Sequence, residues 1–358
     1  MKKIFVMIRD KLGDTLIAFQ ALAAYRAAHP DDVITLMVHA HYLPIFAKEP
    51  GYRLLPYRSS AQAFVWALWQ RLACRRFDAL VVLRGFGEKI VRLTKLLPAT
   101  QRIHALSRFP EVFRDSPPLP SPACLSEQAL IASAWRGLRV LDPVLPCPDR
   151  LSLPGLIAHY RRTPEIVVIC PVSDEVRKNL SVEDVVTMLP LIRSRHHALN
   201  IKVLVRHSGE GGFVAGPLGA AEVVAFGSIE RLLELLGRAA AYYGCDTGLY
   251  HVATAMGLPA LVVFGPTQPH RIILPAQDAL AVRLVALGQS HCDNRACLTP
   301  VCVRQTVAAW ANSPALATPF PENCPLKKAD SAFSAQVEIS GCGALTGAMG
   351  CGANKKNL

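Results

Sequence analysis

Several common catalytic signatures are missing from this chain. No Asp-x-Asp triplet occurs, so no carboxylates at that spacing can hold a divalent cation against a diphosphate. No Gly-Lys-Ser or Gly-Lys-Thr phosphate loop occurs, which argues against an ATPase or kinase of that class. Gly85-Phe86-Gly87 begins a dinucleotide fingerprint but lacks its third glycine, and no Gly-x-Ser-x-Gly elbow marks a hydrolase nucleophile. No apolar stretch approaches the roughly 20 residues that span a bilayer. The opening Met1-Lys2-Lys3-Ile4 is basic, but its apolar run is too short for a signal peptide, so a cytoplasmic protein is expected. Aromatic residues are sparse at 7% and no reader motif is present, so nucleic acid is not the expected partner of the +12 net charge.

What is present is a long alternation of apolar strands and amphipathic helices. The 358 residues exceed the size at which one hydrophobic core stops growing, so two domains are expected. In the first half the pattern predicts strands over 4–8, 33–38 and 79–83, with helices over 16–28, 61–74 and 88–97. A proline-rich loop over 109–123 follows, either an acceptor-side loop or an insertion, and then a helix over 125–138. A second proline-bearing stretch, 141–154, holds the linker. The second half restarts with strands over 165–170, 201–205, 222–225, 240–245 and 260–264, and helices over 182–194 and 232–239. Such alternation predicts doubly wound parallel sheets, one in 1–150 and one in 151–312. The irregular proline-, cysteine- and glycine-containing tail 313–358 lacks periodicity and is expected to be poorly ordered towards its end.

Two strand-to-helix junctions carry polar residues. The later one is Gly244-Cys245-Asp246-Thr247-Gly248-Leu249-Tyr250-His251, where Thr247-Gly248 opens a helix that runs to Met256 and Gly257-Leu258-Pro259 stops it. The earlier one is Arg9-Asp10-Lys11-Leu12-Gly13-Asp14-Thr15, between the first strand and the first helix. Ligands of an open parallel sheet bind at the carboxyl ends of its strands, and a helix start suits a phosphate. Asp246, Thr247 and Asp14 can equally act as plain helix caps, and His251 as buried filler.

Together these segments resemble the lipopolysaccharide heptosyltransferases of glycosyltransferase family 9. The resemblance rests on Gly13-Asp14, on Asp246-Thr247-Gly248-x-x-His251, on Phe264-Gly265-Pro266-Thr267-x-Pro269, and on the run from Gly227 to Leu235 that precedes the signature. It covers roughly residues 1–275. It implies the GT-B architecture, two Rossmann-like domains facing a cleft, and an inverting, metal-independent glycosyltransferase with no cofactor. It also implies a nucleotide-activated heptose donor, ADP-heptose, and a lipopolysaccharide inner-core acceptor in a Gram-negative cell. Asp14 matches the family's catalytic base, with Asp10 as the competitor in sequence. Lys178 matches a lysine that contacts the donor phosphates, although Leu180-Ser181 departs from the aromatic-proline pair that commonly follows, and Arg177 is the alternative cation. Ser173 matches a hydroxyl position for phosphate or sugar oxygens. Thr247 and Gly248 would donate to the diphosphate, with Asp246 and His251 ordering the loop or touching the sugar. Glu210, in the loop His207-Ser208-Gly209-Glu210-Gly211-Gly212, is either a ribose-diol acceptor or part of a flexible turn.

The basic residues gather in 71–76, 89–102, Arg161-Arg162 and 193–206. Such a field attracts an anionic lipid-linked acceptor and a peripheral contact with the inner face of the inner membrane, with Lys89, Arg92 and Lys95 as acceptor contacts. Cys74, Cys124, Cys147, Cys170 and Cys245 read as small buried hydrophobes. Cys292, Cys297 and Cys302, with Cys324, are regularly spaced but lack the paired two-residue spacing of a zinc ribbon, so thiols rather than a metal site are expected. Two rival readings stay open: an autotransporter protein heptosyltransferase with a cysteine metal site, and a non-catalytic sugar-nucleotide or lipid-binding protein of the same fold.

Overall fold

The computed structural model describes residues 1–73, 75–85, 87–106, 108–117, 130–146, 152–214, 216–266, 282–285 and 301–312. Two parallel sheets organise the chain. The first contains β1 (Lys3–Ile8), β2 (Val33–His39), β3 (Tyr52–Tyr57), β4 (Phe77–Arg84) and β5 (Ala99–His104), in the order β3-β2-β1-β4-β5. In β1 the five residues after Lys3 are all buried, as expected of a central parallel strand covered on both faces. Ile4, Val6 and Ile8 pack with Leu16, Phe19 and Leu22 of helix α1 (Leu12–Ala28). Phe5 and Met7 point the other way, onto α3 (Ser60–Leu72) and α4 (Glu88–Leu96). The alternation is the ordinary two-residue period of a strand. The short helix α2 (Leu43–Phe46) follows β2, and α5 (Leu130–Arg139) lies against α1.

The second sheet contains β6 (Ile166–Cys170), β7 (Asn200–Val205), β8 (Glu222–Ala225), β9 (Ala239–Cys245), β10 (Ala260–Val263) and β11 (Val282–Val285). Its order is β11-β10-β9-β6-β7-β8, and every pairing is parallel. Helix α6 (Pro154–Tyr160) leads into it and packs on α8 (Ile229–Gly237). Helix α9 (Gly248–Ala255) covers the same face, where Ile166 and Val168 join an apolar cluster continuous with that of α1. Val167 and Ile169 serve the opposite face with α7 (Val182–Arg195) and α10 (Val301–Asn312). The fold is the α/β GT-B arrangement that the resemblance implied.

Differences from the sequence expectation have physical causes. Helix α1 begins at Leu12, four residues before the expected start, so Asp14 stands inside its first turn and caps nothing with its side chain. Strand β3 was hidden by Pro56, which an edge strand tolerates because one side of it pairs with nothing. Strand β5, Ala-Thr-Gln-Arg-Ile-His, is likewise an edge strand and too polar to read as one. Helix α8 starts at Ile229 because the Ser228 hydroxyl accepts from the Arg231 N–H. Helix α10 lies in a stretch assigned no element from sequence. The linker stretch is only partly among the described residues, and Cys74, Cys124, Cys147, most of 109–123's second half and the tail 313–358 lie outside them.

Trp310 gives α10 its hold: it is fully buried, near Tyr243 on β9, with the Arg195 guanidinium 5.8 Å from its ring centre. Trp310→Ala should therefore cost roughly 3–5 kcal/mol, the usual loss for deleting a buried large aromatic. Urea unfolding followed by circular dichroism measures it. A loss below about 1 kcal/mol would show that α10 is not part of the second core.

Candidate active site

An open parallel sheet leaves room for a ligand where its strand order reverses. The first sheet reverses between β1 and β4, the second between β6 and β9. The turns after β1, β6, β7 and β9 line one cleft of about 730 Å³. Asp14, Ser173, Lys178, Glu210, Asp246, Thr247, Gly248 and His251, all singled out from sequence, lie on its walls.

On the first wall, Asp14 occupies the opening turn of α1, where the helix dipole favours a carboxylate. Arg84, the last residue of β4, reaches it across the switch point. Its Nη2 lies 3.3 Å from Asp14 Oδ2, and its Nε lies 2.8 Å from Asp10 Oδ2. Burial raises the Asp14 pKa above its ordinary value, the Arg84 charge draws it down, and the Asp10 charge pushes it up. A desolvated carboxylate of this kind is a stronger base than one in water. Asp10 is fixed by Arg84 and also accepts from the Lys11 N–H at 2.9 Å.

On the facing wall, β6 runs into a 3₁₀ turn, Val176–Lys178. Lys178 Nζ lies 2.8 Å from Asp246 Oδ2 and 3.8 Å from Glu175 Oε1. Arg177 instead pairs with Glu175, at 3.0 Å, so Lys178 is the cation that reaches the Asp-Thr-Gly turn. The Leu180-Ser181 departure is absorbed locally. Leu180 is buried in the core below β6, and its N–H donates to the Pro171 carbonyl at 2.9 Å. Ser181 and Asp184 form a capping box that starts α7. Ser173 is tied into the same loop: its N–H donates to Asn179 Oδ1 at 2.7 Å, and its Oγ accepts from the Glu175 N–H at 3.3 Å.

Thr247 is the N-cap of α9 and makes no side-chain cap bond, so its hydroxyl and the first N–H groups of the helix are available to an anion. Gly248 has no room for a side chain: a Cβ there would sit 2.9 Å from the Gly13 backbone nitrogen. His251 is buried with its ring 3.8 Å from that of Tyr250 and its Cδ2 against Gly13. Burial, and secondarily the Lys178 charge, lowers its pKa to about 3, so the ring is neutral at working pH. His251 is therefore a neutral wedge between the first turns of α1 and α9, not a cation.

Glu210 lines the cleft in a fixed rather than flexible turn. Its Oε2 accepts from the Arg206 N–H at 2.7 Å, and its Oε1 is held by the Arg206 guanidinium, which also pairs with Asp174. The three predicted acceptor cations do not share this cleft. Lys89 and Arg92 line a separate groove with Arg9, and Lys95 lines another with Arg71, Arg76 and Arg102. Exposed residues of α4 point outward in several directions, so nearness in sequence did not make one patch. Cys170 and Cys245 are buried as expected, and Cys302 lies near Gly265; Cys292, Cys297 and Cys324 are outside the described residues. Arg84 and Arg206 were missed in the sequence. The available signal was a charged residue closing an otherwise apolar central strand, which strand order alone turns into a site residue.

A family model for glycosyltransferase family 9 (heptosyltransferase) matches residues 215–302, which include β8 to β11 and the Asp-Thr-Gly turn. Among solved structures, the E. coli heptosyltransferase WaaC with ADP-2-deoxy-2-fluoro heptose aligns at TM-score 0.61 and 16% identity, covering 86% of this chain and 99% of that one. E. coli ADP-heptose LPS heptosyltransferase II aligns at 0.61 and 16%, covering 86% and 98%. The glycosyltransferase family 9 protein from Veillonella parvula aligns at 0.65 and 16%, covering 88% and 97%. No curated protein matches the chain. The chain therefore has the GT-B fold of these solved structures, and its residues 215–302 are similar to glycosyltransferase family 9 (heptosyltransferase).

Proposed function

We propose that the protein transfers a heptose from ADP-heptose to a lipopolysaccharide inner-core acceptor, with inversion and without a metal. The observation that carries this reading is the meeting, in one cleft, of a half-buried carboxylate on one switch point with a lysine and a helix start on the other. The solved relative with a fluorinated ADP-heptose supports the donor class. The acceptor hydroxyl gives its proton to Asp14 as its oxygen bonds to the anomeric carbon. The bond from that carbon to the diphosphate breaks on the far side, and ADP leaves with the electron pair. Lys178 and the N–H groups at the start of α9 take up the charge that develops on the leaving phosphate. Their positive character does what a magnesium ion does elsewhere. Asp246 keeps Lys178 in place, and Ser173 and Thr247 supply hydroxyls to phosphate or sugar oxygens. Glu210, fixed by Arg206, retains lone pairs for a ribose diol.

The acceptor belongs to the first domain in this reading. Lys89 and Arg92, beside Arg9 in the groove next to the catalytic turn, suit phosphates of a lipid-linked sugar. Lys95 serves the basic surface further along. No helix among the described residues is long and apolar enough to cross a membrane, so contact with a bilayer would be peripheral, at its cytoplasmic face.

With ADP-heptose and acceptor, the protein should release ADP in the presence of excess chelator, and Asp14→Asn should lower the rate by about 10²–10⁴-fold with donor affinity nearly unchanged. Magnesium-dependent rescue after chelation, or an Asp14→Asn rate within tenfold of the parent, would remove the mechanism.

Lys178→Ala should weaken donor binding by roughly tenfold or more and slow turnover, because a charge-assisted contact to the diphosphate is lost. Calorimetric titration with ADP reads the first effect; an unchanged affinity assigns the role to another cation.

The base must be ionised, so activity falls as pH drops through the Asp14 pKa. Arg84 lowers that pKa. Arg84→Gln should therefore move the acidic limb of the kcat/KM profile to higher pH, with activity recovering as pH rises. Adding Asp10→Asn should move the limb back, since the Asp10 charge raises the same pKa. A limb that stays put in both variants would mean that another group titrates there.

A further inference from the structure

Helix α3 has two unlike faces. Ala63, Ala67 and Gln70 are buried against the first sheet, and Trp66 stacks on Phe5 of β1. The opposite face carries Val65, Leu68, Trp69 and Leu72, which are 70%, 47%, 51% and 72% exposed. Their spacing of three, four and seven residues puts all four on one stripe along the helix. A soluble surface rarely lines up four large apolar side chains in this way without something to cover them.

The charge around the stripe is of one sign. The helix Ser60–Leu72 contains no acidic residue. Its carboxyl end delivers Arg71, and the turn after it delivers Arg75 and Arg76, all exposed. The Arg75 guanidinium lies 4.9 Å from the Trp69 ring centre, which holds the aromatic and a cation together at the end of the stripe. Arg71 and Arg76 continue into a groove with Lys95 on α4. An apolar stripe containing a tryptophan and rimmed by arginines matches the boundary between lipid chains and anionic headgroups. Nucleic acid would use the cations but would leave Val65, Leu68 and Leu72 uncovered.

We propose that the exposed face of α3 docks the protein on an anionic bilayer, with Val65, Leu68, Trp69 and Leu72 entering the interface and Arg71, Arg75 and Arg76 on the headgroups. The helix begins beside the catalytic turn, where Arg9 donates to the Ser60 hydroxyl at 3.0 Å. Docking along α3 thus lays the outer face of the first domain on the lipid, with the catalytic turn at the amino end of the docked helix. The inference rests on the reading of a lipid-linked acceptor and names the surface that meets the lipid.

The test uses the full chain and sedimentation with vesicles, without donor or acceptor. Vesicles of phosphatidylglycerol and phosphatidylcholine should bind the protein, and phosphatidylcholine alone should not. Trp69→Ser with Leu72→Ser should reduce binding at least tenfold. Arg71→Gln, Arg75→Gln and Arg76→Gln together should reduce it by about a hundredfold at low salt, or about fivefold per arginine. Both variants should keep the circular dichroism of the parent, and Trp69→Ser with Leu72→Ser should keep its ADP release with a detergent-solubilised acceptor. That activity separates the two ideas: an inactive parent protein that still binds vesicles sinks the proposed reaction and not the docking face. The docking face is overturned if the parent does not bind anionic vesicles, or if neither variant weakens binding. It is also overturned if light scattering shows that the apolar substitutions dissolve a dimer, which would assign the stripe to a second copy.

Discussion

Helices α1 and α9 meet end to end at two glycines. A Cβ on Gly248 would lie 2.9 Å from the Gly13 nitrogen, and one on Gly13 would lie 3.1 Å from His251 Cδ2. No side chain fits at this junction without moving backbone or the buried imidazole. The contact brings the first turn of each helix to the same cleft, so the positive ends of two dipoles converge on one space. Asp14 is one residue from the first glycine and Thr247 one residue from the second. Their relative placement follows from the approach of the backbones.

The charged groups in the cleft are held in opposed sets. Arg84 bridges Asp10 and Asp14 on one wall, Lys178 joins Asp246 and Glu175 on the other, and Lys11 reaches across to Glu175 at 3.6 Å. Half-buried charges are stable only with partners, and a partner also fixes geometry. In the proposed reaction a diphosphate beside Lys178 would compete with these carboxylates for its ammonium and replace contacts that the protein already makes. On the other wall Arg84 limits how far burial and Asp10 together raise the Asp14 pKa. A base needs that compromise: too little desolvation leaves it weak, and too much leaves it protonated.

The apolar core supports this arrangement from behind. One cluster runs from Ile4, Val6 and Leu16 of the first domain to Ile166, Leu232 and Val252 of the second. The walls of the cleft therefore stand on continuous packing rather than on two separate cores. The outer face of α3, with its apolar stripe, faces away from that core.

Much of the architecture was legible in the order of residues. The central strands are short apolar runs followed by helices of matching periodicity, and the spacing of Asp246, Thr247, Gly248 and His251 was enough to mark the strand-to-helix junction that lines the cleft. The polar edge strands β3 and β5 escaped because edges need no apolar run. The neutrality of His251 could not be read, since it depends on complete burial beside Lys178. Nor could the engagement of Glu210 by Arg206, or the divergence of Lys89 and Lys95 into different grooves. Above all, Arg84 stands 70 residues from Asp14 and meets it only because β4 pairs with β1 at the point where the strand order turns. The sequence by itself determined which local segments form strands, helices and anion-ready turns, because those depend on neighbours a few residues away. The tertiary structure alone decided which charges meet and which are desolvated, because strand order sets those distances and burial sets the dielectric around them.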